Sequence, residues 1–460
     1  MVVSTHRAQF GSKAGTVRDG GGDGAGETSA RAVALGLLGA VLRKRRPLEE
    51  ALAGEPGLAE LAPRDRAFAR LLVASVLRRL PQLDALISQA LRQPLSDEAW
   101  VVQDILRLGA VQLLFLKTPA HAGVGETVAL ADAGNLQRFK GLINAVLRRL
   151  DREGAAWVGA QDGARINTPD WLWRSWSDAY GAEQCEAIAH SHLRAPPLDL
   201  TPHGEAASLA EELGAHRLPT GSLRLAEAAP VALLPGYDAG AWWVQDAGAA
   251  LPVRLLGNVA GRTVIDLCAA PGGKTAQLAA AGASVIAVDR SQARMARLGE
   301  NLDRLGLNAT RVIEDAARWR PDEPAWAVLL DAPCSATGTI RRHPDIQRLK
   351  TEGDIRRLTV IQDRLLAAAL DMLRPGGTLV YCVCSLQAQE GEQRIAEFLA
   401  GGAPAKLVPI DVSELGPVDA GNSAGEAAFL TAHGELRTLP CHWAEWGGID
   451  GFYAARLQRL

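Results

Sequence analysis

Two thiols stand at the ends of two predicted strands in the C-terminal half of the chain. One strand runs into Asp331-Ala-Pro-Cys334 and the other ends in Tyr381-Cys382-Val-Cys384. A single cysteine in such a place is more often a buried, inert side chain. Two of them on neighbouring strands are more informative, because ligands of parallel sheets bind at the carboxyl ends of the strands.

A glycine-containing turn follows an earlier predicted strand and could hold a nucleotide-like ligand. It is Asp266-Leu-Cys268-Ala-Ala-Pro-Gly-Gly-Lys-Thr275, in which Gly272 and Gly273 remove side chains where a ligand must approach the backbone. A Walker-type phosphate loop needs glycine at the position of Cys268, and the dinucleotide fingerprint Gly-x-Gly-x-x-Gly is absent. S-adenosylmethionine has no phosphate, so a glycine turn is enough to bind it. This methyl donor is therefore the ligand that remains.

Two acids follow the next two predicted strands. Asp289 suits ribose hydroxyls, because a carboxylate accepts two hydrogen bonds, and Asp315 could accept from an adenine amino group. Both acids have an alternative role, since acids after strands frequently cap the next helix. We expect no metal site, because the chain has no Cys-x-x-Cys and its nine histidines do not pair at ligand spacing.

A methyl donor beside a thiol can methylate carbon 5 of a pyrimidine, which is otherwise a poor nucleophile. A thiolate that adds to carbon 6 pushes electron density to carbon 5, which then attacks the methyl group. Loss of the carbon 5 proton and release of the thiol restore the aromatic ring, so one hard step is divided into easier ones. Asp331 has the type and place to bind N3 and the exocyclic amine of the base, and a second thiol could assist release.

The elements that must position these residues alternate between short apolar runs and helical stretches. The predicted strands are 263–266, 284–289, 311–313, 326–331, 378–381 and 451–457, and the predicted helices lie near 274–281, 291–305, 357–373 and 389–400. This alternation predicts a parallel sheet with helices on both faces, that is, a Rossmann-like α/β domain over 256–460.

The remaining chain divides into four parts. Residues 1–28 contain seven glycines and few large apolar side chains, so we expect a disordered tail. Residues 29–150 show helical spacing of apolar residues punctuated by prolines, which predicts an all-helical domain of five or more helices. Residues 151–165 contain three glycines and are interpreted as a linker, and residues 166–255 mix helix and strand patterns, as in a small α+β module.

The charge of the chain is unevenly distributed. The formal net charge of −3 argues against a wholly basic nucleic-acid binder, but residues 29–150 carry 17 Lys/Arg against 11 Asp/Glu, a net of +6, and the 310 residues that follow carry −9. Six cysteines in 460 residues are too few for a disulfide scaffold, and no apolar run reaches the roughly 18 residues of a membrane span. We therefore expect a cytoplasmic protein without a membrane partner.

At residues 268–274, 331–334 and 384–386 the chain resembles the RNA cytosine-5 methyltransferases of the Sun/Fmu family, over about 166–460. The resemblance implies S-adenosylmethionine as the methyl donor and Asp331 among the catalytic residues. It also implies Cys384 as the nucleophile and Cys334 as the thiol that helps release the product. The donor-binding positions that it implies are Cys268, Ala269, Ala270, Pro271, Gly272, Gly273, Lys274, Asp289, Asp315 and Asp331.

The N-terminal helices resemble the NusB antitermination fold, an RNA-binding bundle, through residues 121–128 and 143–149. Both domains together are typical of enzymes that methylate one defined cytosine in 16S rRNA. The resemblance therefore implies 16S rRNA as the partner. We expect the enzyme to be a monomer. A tRNA cytosine-5 methyltransferase and a non-catalytic RNA-binding assembly factor remain as alternatives.

Two residues depart from the family pattern, and one further segment resembles it. Val383 stands where the family usually has Thr immediately before the nucleophile, and Cys382 is interpreted as an ordinary thiol, separated from Cys384 by an end-of-strand turn. The basic segment 341–345 resembles the loop that follows Pro-Cys and is expected either on the RNA side or as a solvated turn.

Overall fold

The computed structural model describes residues 29–132, 134–204, 206–225, 230–416 and 428–460. The tail predicted for residues 1–28 lies outside the described residues. Within the described ranges, no helix has both the length and the apolar character needed to cross a bilayer.

Apolar residues at helical spacing form an all-helical N-terminal domain around one core, as predicted. Its helices are α1 (Ala30–Leu42), α2 (Leu48–Ala53), α3 (Gly57–Glu60), α4 (Pro63–Arg78), α5 (Leu80–Ala90), α6 (Trp100–Leu114), α7 (Ala120–Ala129) and α8 (Lys140–Gly159). Pro63 stands in the first turn of α4, where its missing N–H is not needed. A Cβ on Gly109 of α6 would lie 2.5 Å from a methyl carbon of Leu147, so the close approach of α6 and α8 requires glycine.

The linker predicted over 151–165 is wrong. Helix α8 extends through most of this segment to Gly159, because Trp157 packs against the core of the helical domain. Gly154, which suggested a flexible segment, is a packing residue, since a Cβ there would lie 2.7 Å from a methyl carbon of Leu114. A short helix, α9 (Gly163–Asn167), follows almost at once.

The small α+β module is present as predicted. Its helices and strands are α10 (Asp170–Tyr180), α11 (Ala182–His192), β1 (Leu198–Pro202), α12 (Ala206–Leu213), β2 (His216–Arg217), β3 (Leu223–Leu225) and β4 (Trp242–Val244). The strands pair antiparallel in the order β2-β3-β1-β4.

The C-terminal domain is the predicted doubly wound α/β fold. Its elements are α13 (Ala247–Arg254), β5 (Thr263–Leu267), α14 (Gly273–Ala280), β6 (Ser284–Val288), α15 (Gln292–Leu305), β7 (Thr310–Val312), β8 (Ala325–Asp331), α16 (Ile346–Leu349), α17 (Glu352–Asp371), β9 (Leu373–Val383), α18 (Glu392–Ala400), β10 (Ala405–Leu407), β11 (Leu436–Arg437) and β12 (Tyr453–Arg459). The sheet order is β10-β12-β9-β8-β5-β6-β7. The strands from β9 to β7 are parallel as predicted, but β12 pairs antiparallel with β9 and β10, so the prediction of an all-parallel sheet is wrong at this edge. From β5 the chain first adds β6 and β7 on one side and then β8 and β9 on the other, so a crevice for ligand lies at the carboxyl ends of β5 and β8.

The two faces of β9 pack in separate apolar clusters. Tyr381 and Val383 lie in one cluster and Val380 and Cys382 in the other, because alternate strand residues point to opposite faces. The strand ends at Val383, so Cys384 stands beyond the regular alternation. Val383, which replaces the usual Thr, is a fully buried core residue.

The basic segment 341–345 is not a solvated turn, so that expectation is wrong, while its expected place on the RNA side stays a prediction. Arg341 is only 1% exposed, and its Nε lies 2.7 Å from the Asp450 carboxylate. Arg342 bonds the same carboxylate at 2.8 Å and lies 2.5 Å from Asp246. Burial of a charge is costly unless it is paired, and here the two guanidinium groups are matched by two carboxylates.

The chain around this segment also joins the helical domain to the catalytic half. Arg78 of α4 donates to the Arg341 carbonyl at 2.8 Å, and the backbone N–H of Leu48 donates to Asp345 at 3.0 Å. Arg348 donates to the Asn167 carbonyl at 3.0 Å. These contacts fix the orientation of the helical domain relative to the carboxyl edge of the sheet.

Candidate active site

The glycine turn after β5 is shaped by its own backbone. Cys268 has φ +60° and Gly272 has φ +107°, after which α14 begins at Gly273. A Cβ on Gly272 would lie 2.7 Å from Cγ of Leu298, so glycine is needed there for conformation and for packing against α15. A Cβ on Gly273 would make only ordinary contact, at 3.7 Å from Gln245, so this position leaves room beside the turn.

Asp289 holds the glycine turn in place. One carboxylate oxygen accepts from the Ala270 N–H at 3.2 Å and the other from the Ser291 N–H at 2.9 Å. The side chain that caps α15 is Ser291, so the capping alternative for Asp289 is not what the structure shows. Asp289 is 3% exposed, and its oxygens keep further lone pairs.

Asp315 is exposed and acts in its local turn. Its carboxylate accepts from the Ala317 N–H at 3.0 Å, and Arg318 lies 4.0 Å away. These contacts lie within the turn 316–318, where no helix begins, so Asp315 is not a helix cap and its donor-binding role stays a prediction.

Asp266, at the carboxyl end of β5, is a site residue that the sequence analysis did not single out. One oxygen accepts from Thr275 Oγ1 at 2.6 Å, and the other is buried without a hydrogen-bond partner among the described residues. Burial raises its pKa to about 7. Its place at the end of a strand that leads into a glycine turn is the sequence feature that could have identified it.

Lys274 and Asp331 form an ion pair across the crevice. The Lys274 ammonium lies 2.8 Å from one Asp331 oxygen and 5.1 Å from the centre of the Phe452 ring. Burial is the largest single effect and opposes the charge of Lys274, but the Asp331 carboxylate and the neighbouring thiols Cys382 and Cys384 together outweigh it and raise the pKa of this lysine. Lys274 is therefore a cation, and the Asp331 carboxylate at the end of β8 holds its ammonium group in place.

Cys382, interpreted from the sequence as an ordinary thiol, lies beside the same ion pair. Its Sγ lies 3.6 Å from the second Asp331 oxygen. Burial raises the pKa of Cys382 well above its usual value, so the thiol is neutral and donates to the carboxylate. As expected, the end of the strand directs Cys382 and Cys384 to different partners.

Cys334 and Cys384 are brought together as the sequence predicted. Their Sγ atoms lie 3.5 Å apart, both residues are half-buried, and both are free thiols. The hydrogen bond to Cys384, together with burial, raises the pKa of Cys334 well above the usual value of a thiol. The Cys334 thiol is therefore protonated at neutral pH.

One buried carboxylate, Glu390, holds the two cysteine loops against each other. It accepts from Ser335 Oγ at 2.5 Å and from Ser385 Oγ at 2.6 Å, the residues that directly follow the two cysteines. Gln362 of α17 donates to it at 3.1 Å, and Glu390 is fully buried. Nothing in the sequence singles out Glu390, because an acid between a strand and a helix carries no local feature that separates it from a cap.

The described residues contain no group of three or more His, Cys, Asp or Glu side chains that could hold a metal ion. The reactive groups at the carboxyl edge are thus the thiol pair, the Lys274–Asp331 ion pair and the acids around the glycine turn.

The doubly wound sheet, the glycine turn and the paired thiols at its carboxyl edge define a methyltransferase. The family model described as 16S rRNA methyltransferase RsmB/F matches residues 253–458, and the NusB family model matches residues 28–152. Ribosomal RNA small subunit methyltransferase B of Pseudomonas putida is 37% identical, over 94% of this chain and 98% of the relative. The protein of the same name from Klebsiella pneumoniae is 38% identical, over 82% of this chain and 91% of the relative. The chain belongs to the ribosomal RNA small subunit methyltransferase B family.

Solved structures show the same fold. The crystal structure of PH0851 has a TM-score of 0.70 at 23% identity and covers 94% of this chain and 99% of that one. NSun6 from Pyrococcus horikoshii, solved with SFG, has a TM-score of 0.53 at 20% identity and covers 63% of this chain and 98% of that one.

Proposed function

We propose that this enzyme transfers a methyl group from S-adenosylmethionine to carbon 5 of one cytosine in 16S rRNA, through a covalent bond between Cys384 and carbon 6. The observation that carries the proposal is the thiol pair, 3.5 Å apart, at the carboxyl ends of β8 and β9. Attack at carbon 6 needs one nucleophilic thiol, and a second thiol beside it can assist release.

The residues around the glycine turn fit the proposed donor. The unpartnered buried oxygen of Asp266 is an acceptor suited to the ammonium group of an amino acid moiety, and Asp289 keeps lone pairs for ribose hydroxyls. Residues 268–274 would line the donor, and Asp315, which follows β7, would accept from the adenine amino group. S-adenosylmethionine supplies an electrophilic methyl group when bound.

Different side chains of the enzyme then act at successive steps of the reaction. The Cys384 thiolate forms a bond to carbon 6, and the displaced electron pair makes carbon 5 nucleophilic, so that carbon 5 takes the methyl group. A base then takes the proton from carbon 5, the C5–H electron pair forms the C5=C6 double bond, and the S–C6 pair leaves with sulfur as the Cys384 thiolate. Asp331, held by Lys274, would bind the base edge, and the protonated Cys334 would hydrogen-bond the Cys384 sulfur.

The helical domain supplies the basic surface for the RNA. Its net charge of +6 suits phosphate contacts, which make affinity depend on salt. The target cytosine must leave its stack to expose carbons 5 and 6. We place the enzyme in the cytoplasm, where reduced thiols persist.

The test is methylation of purified transcripts by the full-length enzyme, with 5-methylcytidine measured by mass spectrometry of digested RNA. The proposal expects one modified cytosine in 16S rRNA, none in tRNA, and none with Cys384→Ala. Methylation of tRNA alone would favour a tRNA enzyme, and RNA binding without transfer to either RNA would favour an assembly factor.

A further inference from the structure

A cavity of about 480 Å³ lies close to the nucleophile but outside the residues assigned so far. Its walls are helix α10, the first turn of α17 and the segment 387–389 that leads from β9 to α18. Helix α17 runs into the start of β9, so its first turn stands at the opposite, carboxyl edge of the sheet. The cavity is therefore on the edge that carries Cys334 and Cys384.

Gln387 provides an unpartnered donor in the wall of this cavity. Its Oε1 accepts from Ser175 Oγ at 2.5 Å, while Nε2 is buried without a hydrogen-bond partner among the described residues. The residue is only 1% exposed. Buried amide donors are almost always satisfied, so this one points to an acceptor on a ligand.

Two further side chains of the cavity are of types that proteins use to bind single-stranded RNA. Trp171 is half-buried in the wall and offers an aromatic surface for a base, and Arg356 is an exposed cation at the rim. Arg174 lies at the same rim, 3.7 Å from Glu352, so its charge is partly offset. The acidic Asp178 also lines the cavity, which disfavours a free phosphate or nucleotide and favours a base within a longer strand.

We propose that this cavity holds the base of an RNA nucleotide that neighbours the target cytosine, stacked on Trp171 and bound at its edge by the Gln387 amide. The inference rests on the proposed function. Gln387 is three residues beyond Cys384, so their Cα atoms are at most about 11 Å apart, within reach of a nearby nucleotide of the same strand. Every base carries edge acceptors, so the Gln387 contact positions the strand rather than selecting one base.

The experiment combines two variants with a scan of the substrate. Gln387→Glu keeps the acceptor for Ser175 and removes the amide donor, and Trp171→Leu keeps an apolar side chain and removes the aromatic surface. Gln458→Glu makes the same chemical change at the amino edge of the sheet and is the matched control. The full-length proteins are assayed on a 16S rRNA fragment and on copies with a single abasic site at each position around the target cytosine, and donor binding by calorimetry confirms folding.

One abasic position is expected to raise the KM of the wild-type enzyme about five-fold or more, the loss expected for one base stack. Both cavity variants should raise the KM for intact RNA similarly, with kcat little changed, and should no longer respond to that abasic site. Variants that respond to every abasic site as the wild type and the control do would overturn the proposal. If the wild type methylates no cytosine in 16S rRNA, the proposed function itself fails, and the inference falls with it.

Discussion

The Sγ atoms of Cys334 and Cys384 lie 3.5 Å apart although 50 residues separate them in the chain. The contact follows from sheet register, because β8 and β9 pair in parallel with Asp331 opposite Cys382. Each cysteine leaves its strand within three residues of that pair, so both reach the same point of the crevice. A thiol pair without a disulfide can then divide nucleophilic attack and product release between its members.

Glu390 should be needed to keep the two cysteine loops in register. In Glu390→Gln one acceptor oxygen becomes an NH2 group facing other donors, so we expect a loss of about 2 kcal/mol in the free energy of unfolding, measured by urea denaturation. We also expect kcat to fall more than the donor affinity. Glu300→Gln, on the exposed side of α15, is the control. An unchanged unfolding free energy would show that the hydrogen bonds to Glu390 do not hold the loops.

Asp266 should make stability depend on pH. Burial raises its pKa from 3.8 to about 7, so between these values the folded protein holds a proton that the unfolded chain has lost. The contribution of Asp266 to the free energy of unfolding is therefore greatest below about pH 4. It falls as the pH rises to about 7, by up to about 1.4 kcal/mol per pH unit. The side chain of the Asp266→Asn variant does not titrate, so the variant does not lose stability in this way. Its unfolding free energy relative to that of the wild type should therefore increase from pH 5 to pH 7. Urea unfolding at several pH values would measure this, and a difference that does not change with pH would contradict it.

Lys274 should matter for catalysis through Asp331. Lys274→Met removes the cation 2.8 Å from that carboxylate, and a charged hydrogen bond of this kind is worth about 1.5–3 kcal/mol. We therefore expect kcat/KM for methylation to fall about 10- to 100-fold. Lys406→Met changes an exposed lysine far along the chain and should retain activity. Equal activities of the two variants would remove Lys274 from the mechanism.

Arg348 should hold the helical domain against the catalytic half. Arg348→Ala removes the hydrogen bonds to the Leu77 carbonyl of α4 and to the Asn167 carbonyl of α9, and we expect faster amide hydrogen exchange in α4 and around residues 341–349. The KM for RNA should rise because the basic domain is less fixed. Arg70→Ala, an exposed change on α4, is the comparison, and identical exchange in the two variants would refute this docking role.

The strand ends could be predicted because their chemistry is local. Short apolar runs that end in Asp289, Asp331 or Cys384 carry both the strand pattern and the functional side chain in one segment. Parallel strands bring such ends to one edge, so the thiol pair followed from sequence. The orientation of Asp315, which serves its own turn, did not follow, because a cap and a ligand contact share the same residue type.

The failures concern contacts between distant segments. Nothing near Arg341 in sequence indicates its carboxylate partner Asp450, which lies 109 residues away, so a buried ion pair was read as a surface loop. Gly154 suggested a linker, whereas it allows close packing of Leu114. In both cases the decisive partner comes from another part of the chain, and residue type alone does not identify it.

We infer that Cys384 bonds to carbon 6 of the cytosine and that Cys334 helps to release it. The most direct measurement is mass spectrometry of the complex between RNA and each variant after incubation with S-adenosylmethionine. Cys334→Ala should accumulate a covalent enzyme–RNA adduct at Cys384, while Cys384→Ala should form none and transfer no methyl group. Normal turnover by Cys384→Ala would contradict the account, and inactivity of Cys334→Ala without an adduct would require the two thiols to exchange roles.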